Sequence, residues 1–212
     1  MSELNTKDQI LDAAEHLFAS QGFHTTSLRE ITSQAGVNLA AVNYHFRTKE
    51  KLMAAVLARR LVPINENRLE LLEKENLAAE AEQRLPRVKA IFRAFIQPTF
   101  SMVRFVENTG EIPCIIGRAH TDPDGTIREA FLGIMMPLFK TFHQVLCQAL
   151  PNLEADIVRS RLLFAIGSMG TAIMSRLGHS AMIHTTDGSG TMDIDDQIEQ
   201  LLDFVTHGME GA

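Results

Sequence analysis

The chain has 212 residues, 45% apolar and 22% charged, with a net charge of −6. This is the balance of an ordinary globular protein with enough length for one large or two small domains. No uninterrupted apolar run reaches the roughly 18 residues of a membrane span, the N-terminus MSELNTKDQ is polar, and two cysteines, Cys114 and Cys147, make no disulfide framework, so the expectation is a cytoplasmic protein with free thiols and no membrane partner.

Overall acidity argues against a nucleic-acid partner, but the charge is unevenly placed. Residues 1–60 carry seven Lys/Arg against six Asp/Glu, and the remainder carries thirteen against twenty. A weakly basic N-terminal module is therefore joined to an acidic body.

Taken in chain order, the pattern is helical almost throughout. Thr6-Lys7-Asp8-Gln9 has the form of a capping box, and Ile10, Leu11, Ala14, Leu17 and Phe18 follow at helical spacing, with Gly22 as the stop. A second capping box, Ser27-Leu28-Arg29-Glu30, opens a short helix with Leu28, Ile31 and Ala35 on its apolar stripe and Gly36 at its end. Asn38 is an N-cap for a third helix in which Val42 and Phe46 face inward. Thr48 caps a fourth, with Leu52, Val56 and Leu57 inward, and its charged pattern continues through residues 61–80. A long apolar helix is predicted over 86–106, kinked or broken at Pro98. Residues 107–125 read as irregular, because of Pro113 and the turn Asp122-Pro123-Asp124-Gly125. Helices then fall at about 126–149, 153–178 and 193–208 by the same periodicity, and 184–192 reads as a flexible loop.

Residues 27–46 form two short helices joined by a tight glycine-containing turn, which is the helix-turn-helix pattern. Leu39, Ala40 and Ala41 are slim, so the helix can approach base edges closely. Asn38 leaves N–H groups at a helix start that suits a phosphate. Asn43, Tyr44 and His45 occupy a face that Val42 and Phe46 do not. Asn43 suits an adenine edge or a phosphate, and Tyr44 (the single tyrosine) and His45 suit phosphate and sugar contacts. Lys49 places a cation in the first turn of the next helix, where the dipole disfavours it, and a phosphate would account for it. Thr26, Ser27 and Arg29 are placed to clamp the opposite backbone strand.

The stretch ILDAAEHLFASQGFHTTSLREITSQAGVN followed by AAVNYHFRTKEKLMAAVL, within residues 10–57, resembles the DNA-binding domain of the TetR family of bacterial transcriptional regulators. The remaining three quarters are similar to that family only in kind, an all-helical part of the right length. One departure is Asn43, where many members carry a second aromatic before the tyrosine; it bears on the operator sequence more than on DNA binding. The resemblance implies an all-α fold. A helix-turn-helix DNA-binding domain at 1–50 would be followed by a larger helical-bundle domain at 51–212 for ligand binding and dimerisation. It also implies a homodimer on a near-palindromic duplex, without a cofactor.

The second part offers its own support. Ala165, Gly167, Ser168, Gly170, Ala172 and Ser175 lie among large apolar residues such as Met174, and small residues allow close helix approach. The last helix carries Ile194, Ile198, Leu201, Leu202 and Val205. Two such helices per subunit would form a four-helix interface, with Gly167, Gly170, Met174, Ile198, Leu201 and Leu202 as candidates. Residues 88–142 are rich in Phe and Met: Phe92, Phe95, Phe100, Met102, Phe105, Phe131, Met135, Met136, Phe139 and Phe142. That composition suits an adaptable apolar pocket, and Arg93, Arg104 and Arg118 are the cations considered for an anionic head group.

Two motifs fail. HTDPDGTIREAF (120–131) puts His120 and Phe131 where a calcium loop needs Asp and a bidentate Glu. His179 and His184 are five apart and lack the zinc-protease pattern, so no metal site is expected. The expected function is a ligand-released, homodimeric DNA-binding repressor that senses a small apolar molecule. An activator or a ligand-independent regulator is the alternative. An all-α enzyme using His120 or Cys114 is a remote one, because no nucleophile–base motif supports it.

Overall fold

A computed structural model of the chain describes residues 3–105, 111–118, 124–176 and 192–211, the side chains at 3–5, 102–105 and 118 excepted. Among the described residues there are nine α-helices and no strand: α1 (Glu3–Ser20), α2 (Leu28–Ala35), α3 (Leu39–His45), α4 (Lys49–Ala81), α5 (Val88–Phe105), α6 (Glu111–Arg118), α7 (Thr126–Ala149), α8 (Ala155–Arg176) and α9 (Ile194–Glu210). By packing, the chain forms two compact units. One comprises residues 1–63 and 108–135, the other 64–107 and 136–212.

In the first unit, Ile10, Leu11, Ala14, Leu17 and Phe18 are buried as their spacing requires, and α1 packs on α2, α3 and α6. Thr6 is not the start of α1, which begins one turn earlier at Glu3. The Ser27 box does form. The Glu30 N–H donates to Ser27 Oγ at 3.2 Å, and the Ser27 N–H donates to Glu30 Oε2 at 2.7 Å. The bond from the Ser27 N–H, and after it the Ser27 hydroxyl, hold the Glu30 carboxyl below its ordinary range. Gly36 ends α2 at φ 64°, in the left-handed region that favours glycine. Asn38 caps α3 by accepting from the Ala41 N–H at 2.9 Å. Val42, Phe46, Leu52, Val56 and Leu57 are buried, so α3 and the start of α4 share one core.

A buried charge fastens α1 to α4. Glu15 is 1% exposed and pairs with both Arg59 and Arg60, while Arg59 also reaches Asp12 at 2.7 Å. Burial works against the charge on Arg59, yet Glu15 and Asp12 keep its pKa above the ordinary value. Two cations around one buried carboxylate satisfy its lone pairs, the condition under which a buried ion pair is tolerated.

Residues 111–118, predicted irregular, form α6 despite Pro113. Proline is acceptable in a first helical turn because that N–H has no intrahelical partner. Asp124 Oδ1 accepts the Thr126 N–H at 3.0 Å and starts α7, with Gly125 at φ 75° before it. A local turn therefore explains this part of the failed calcium motif; His120 lies outside the described residues.

In the second unit, α9 lies against α5 and α8. Ile194, Ile198, Leu202, Val205 and Met209 face inward, a stripe of three- and four-residue steps. Lys89 reaches Asp203 at 2.5 Å and Arg93 reaches Glu199 at 2.5 Å across the same helix pair. Phe95 packs edge-on against Phe142 at 5.1 Å and touches Phe139 at 6.1 Å. Pro98 does not end α5, which continues to Phe105; its ring removes the N–H that would have bonded to the carbonyl four residues earlier. Helices α7 and α8 each pass a length-and-composition test for crossing a membrane, with mean hydropathy 1.3, although no uninterrupted apolar run reaches that length. α8 buries Val158, Leu162, Ala165, Met169 and Ile173.

Candidate nucleic-acid interface

The capping of α3 by Asn38 and the burial of Val42 and Phe46 set which side of this seven-residue helix is free. Asn38, Leu39, Ala40, Asn43 and Tyr44 are exposed and His45 is half-buried. Tyr44 is 73% exposed, with its ring 5.1 Å from that of His45 in an edge arrangement. A large aromatic with a free hydroxyl, beside an amide and an imidazole, offers donors and a flat apolar surface at one place. Ser27 and Arg29 are exposed at the start of α2.

Thr26 departs from expectation. It is buried, and its hydroxyl lies 2.8 Å from the Gly22 carbonyl and 3.2 Å from the Leu17 carbonyl, to which it donates. The side chain pins the α1–α2 turn and is withdrawn from the phosphate-contacting set. Lys49 is half-buried. Its Nζ donates to the carbonyls of Phe23 at 2.9 Å and Thr26 at 3.1 Å, and sits 4.4 Å from the Phe23 ring centre. These contacts explain a cation at a helix start without a phosphate. One N–H of the ammonium remains for a further acceptor.

Sequence reasoning missed a recess of about 270 Å³ lined by Lys7, His45, Phe46, Arg47, Lys51 and Ala55. It gathers cations from α1, the α3–α4 turn and α4 beside the free face of α3. Arg47 sits at φ 66°, an uncommon backbone for a non-glycine residue. Arg47 and Lys51 stood next to the motif in the sequence. Lys7 had no linear signal, because only the packing of α1 brings it there.

The remaining candidates divide. Phe92, Phe95 and Phe100 are buried in the second unit and Phe139 is half-buried there. Met135 is buried and Phe131 half-buried in the first unit. The side chains of Met102, Phe105 and Arg118, and that of Arg104, lie outside the described ones, as do His179, His184 and the 184–192 loop. Arg93 is engaged by Glu199. A shallow recess of about 240 Å³ between α4 and α5 is lined by Leu71, Lys74, Glu75, Ala90, Arg93, Ala94 and Gln97. Among the described residues no cluster of three His, Cys, Asp or Glu side chains is placed to hold a metal ion.

Of the proposed contact residues between subunits, Gly167 is exposed, and Gly170, Met174 and Leu201 are half-buried. Ile198 and Leu202 are corrected: both are buried against their own chain, because the stripe they belong to serves the core of the unit. On these two helices the exposed large apolar side chains are Ile157, Leu163 and Phe164 of α8 and Phe204 of α9, with Phe164 72% and Phe204 66% exposed. The signal of Phe164 and Phe204 was present as aromatic residues off the stripe, and it went unread because periodicity draws attention to the stripe.

A helix-turn-helix with a free polar face, followed by helices and no strand among the described residues, defines the class of all-helical DNA-binding regulators. Comparison with known proteins makes that specific. Residues 10–56 match the family described as bacterial regulatory proteins, tetR family, and residues 93–208 match the tetracyclin repressor-like C-terminal domain. The chain belongs to the TetR family, whose members are transcriptional regulators rather than enzymes. It is 43% identical over 51 residues to the HTH-type transcriptional regulator AcrR of Shigella flexneri, covering 24% of each chain. The chain spans only 24–44% of the length of the curated relatives it matches. Its fold is similar to the fatty acid degradation regulator FadR from Bacillus halodurans, with TM-score 0.69 and 12% identity over 97% of this chain and 96% of that one. It is also similar to FadR from Bacillus subtilis in complex with stearoyl-CoA, with TM-score 0.63 and 16% identity over 95% and 98%.

Proposed function

We propose that the protein is a cytoplasmic, homodimeric transcriptional repressor released from DNA by a small apolar effector. The observation that carries the reading is the free face of α3, where Asn43, Tyr44 and His45 stand clear of a core closed by Val42 and Phe46. Asn38, Leu39, Ala40, Asn43, Tyr44 and His45 then meet the major groove, and Ser27, Arg29 and the remaining N–H of Lys49 meet phosphates. The functional boundary lies near residue 50, with the DNA-binding domain at 1–50 and the effector and dimerisation domain at 51–212. The partner face is supplied by α8 and α9: Phe164 and Phe204 are too large and apolar to be left in water without purpose, and exposed Gly167 permits close helix approach. Two copies present two α3 helices to successive major grooves about 34–36 Å apart, hence a near-palindromic site.

The effector binds better to the form that holds the two heads at the wrong spacing. It weakens DNA binding by that difference, typically about 1–3 kcal/mol. The Phe-rich core of the second unit supports an apolar ligand, in keeping with the stearoyl-CoA held by FadR from Bacillus subtilis. Genomic footprinting of the purified protein, with and without cell extract, tests the reading. It expects a two-fold-symmetric protected site that the extract releases. A protein that protects no duplex at low ionic strength ends the proposal.

A further inference from the structure

Among the described residues, the second unit buries a positive charge with no negative one beside it. Arg68, on the inward side of α4, is 3% exposed. Its Nε donates to the Phe95 carbonyl at 2.9 Å, one terminal nitrogen donates to Asn65 Oδ1 at 2.9 Å, and the other donates to Thr99 Oγ1. Its guanidinium carbon lies 4.3 Å from the centre of the Phe95 ring, which neighbours Phe139 in a tilted and Phe142 in an edge arrangement. No carboxylate among the described residues pairs with it. Burial alone pulls its pKa down to about 10, which leaves it charged at neutral pH.

Among the described residues, every acceptor around this cation is neutral. Guanidinium has five N–H donors in a planar fork, and three are used. Each terminal nitrogen keeps a second hydrogen that meets no acceptor among the described residues. A cation in an aromatic core loses its hydration, a cost that stands unless an anion answers it, and cation–π contact with Phe95 returns part of that loss. If three hydrogen bonds were the whole purpose, a neutral side chain would serve with less penalty. The same chain shows how it treats a structural buried charge, since Glu15 is flanked by two arginines. The free pair of N–H groups on a fork matches a carboxylate in bidentate fashion.

We propose that Arg68, held by Asn65 and Thr99, is the anchor for the anionic group of the effector, which is an apolar molecule ending in a carboxylate. The inference rests on the effector-released reading above and names the ligand class for it. Phe92, Phe95 and Phe100 supply the apolar surroundings. Because Arg68 is closed off from water in this form, the ligand enters as α4 and α5 part, and α4 is one continuous helix from Lys49 to Ala81. Ligand entry thus acts on the helix whose first turn abuts the DNA-contacting residues.

The test compares decanoate with 1-decanol, the same chain without the charge, by isothermal titration calorimetry on the full-length protein. The wild type should bind decanoate at least tenfold more tightly. Arg68→Met should bring the two to parity while its unliganded Tm holds or rises, since no charge is left to bury. Should Arg68→Met fail to fold, Arg68→Lys keeps the charge but loses the fork, and its preference should shrink severalfold. Equal binding of the two probes by the wild type overturns the proposal, as does a preference unchanged in the variant. Footprinting on the same preparations separates the two readings. A protein that protects its site yet ignores the carboxylate removes only the anchor. One that binds decanoate through Arg68 but protects no duplex removes only the regulator.

Discussion

The two compact units treat buried charge in opposite ways. In the first, Glu15 sits between Arg59 and Arg60, and every charge of that cluster is answered within the chain. In the second, Arg68 is as deeply buried and, among the described residues, is met by a carbonyl, an amide, a hydroxyl and a ring. A closed ion cluster holds helices in a fixed arrangement and suits a module that must present α3 rigidly. On the proposed reading, an unanswered cation is left for an anionic ligand, which suits a sensing module.

The largest effect should come from breaking the closed cluster. Glu15→Ala leaves two arginines facing a vacancy and should cost about 3–5 kcal/mol, read as a lower urea midpoint. A loss below about 1 kcal/mol would show that the cluster does not hold the unit. Next, Asn43→Ala combined with Tyr44→Ala should weaken operator binding by about 2–4 kcal/mol, from one base-edge pair and one phosphate contact, in fluorescence anisotropy. Its melting temperature should stay near the wild type, because both side chains are exposed. A matching collapse of stability would show that α3 is structural.

A smaller effect is expected on the sensing side. Phe164→Glu with Phe204→Glu should shift sedimentation from dimer to monomer without unfolding the chain, since both rings are exposed in the single chain. A dimer of unchanged stability would place the interface elsewhere. Smaller still, Lys51→Ala should lower the salt slope of DNA binding by about one and leave base preference unchanged. An unaltered slope would show that the basic recess does not meet phosphate. The mildest effect is acid sensitivity at the α5–α9 seam. The hydrogen bond from Arg93 holds Glu199 below its usual 4.5. A carboxyl with a depressed folded pKa contributes stability above its unfolded pKa and loses it as pH falls through the folded one. Melting temperature should therefore decline below about pH 4.5, and less steeply in Arg93→Met; equal slopes would deny the pair that role.

Much of the first unit was legible in the sequence because its signals are local. Ser27 and Glu30 bond three residues apart, Asn38 caps the helix it precedes, and Gly36 takes a backbone that few other residues accept. The free face of α3 followed once Val42 and Phe46 were assigned inward. Thr26 was misjudged because a polar side chain near a helix start looks available until folding shows which carbonyl stands opposite; Lys49 meets two such carbonyls and keeps one N–H.

The sequence by itself determined the helical class, the helix-turn-helix, the family and the apolar character of the second part, all of which rest on spacing along one helix or across one turn. Only tertiary structure decided how each side chain is used. It turned Ile198 and Leu202 inward and left Phe164 and Phe204 in water, because which stripe of a helix is covered depends on the neighbour it meets. It also brought Arg68 beneath Phe95 and Thr99 with no carboxylate paired to it among the described residues, since the surroundings of a buried charge come from residues about thirty positions away.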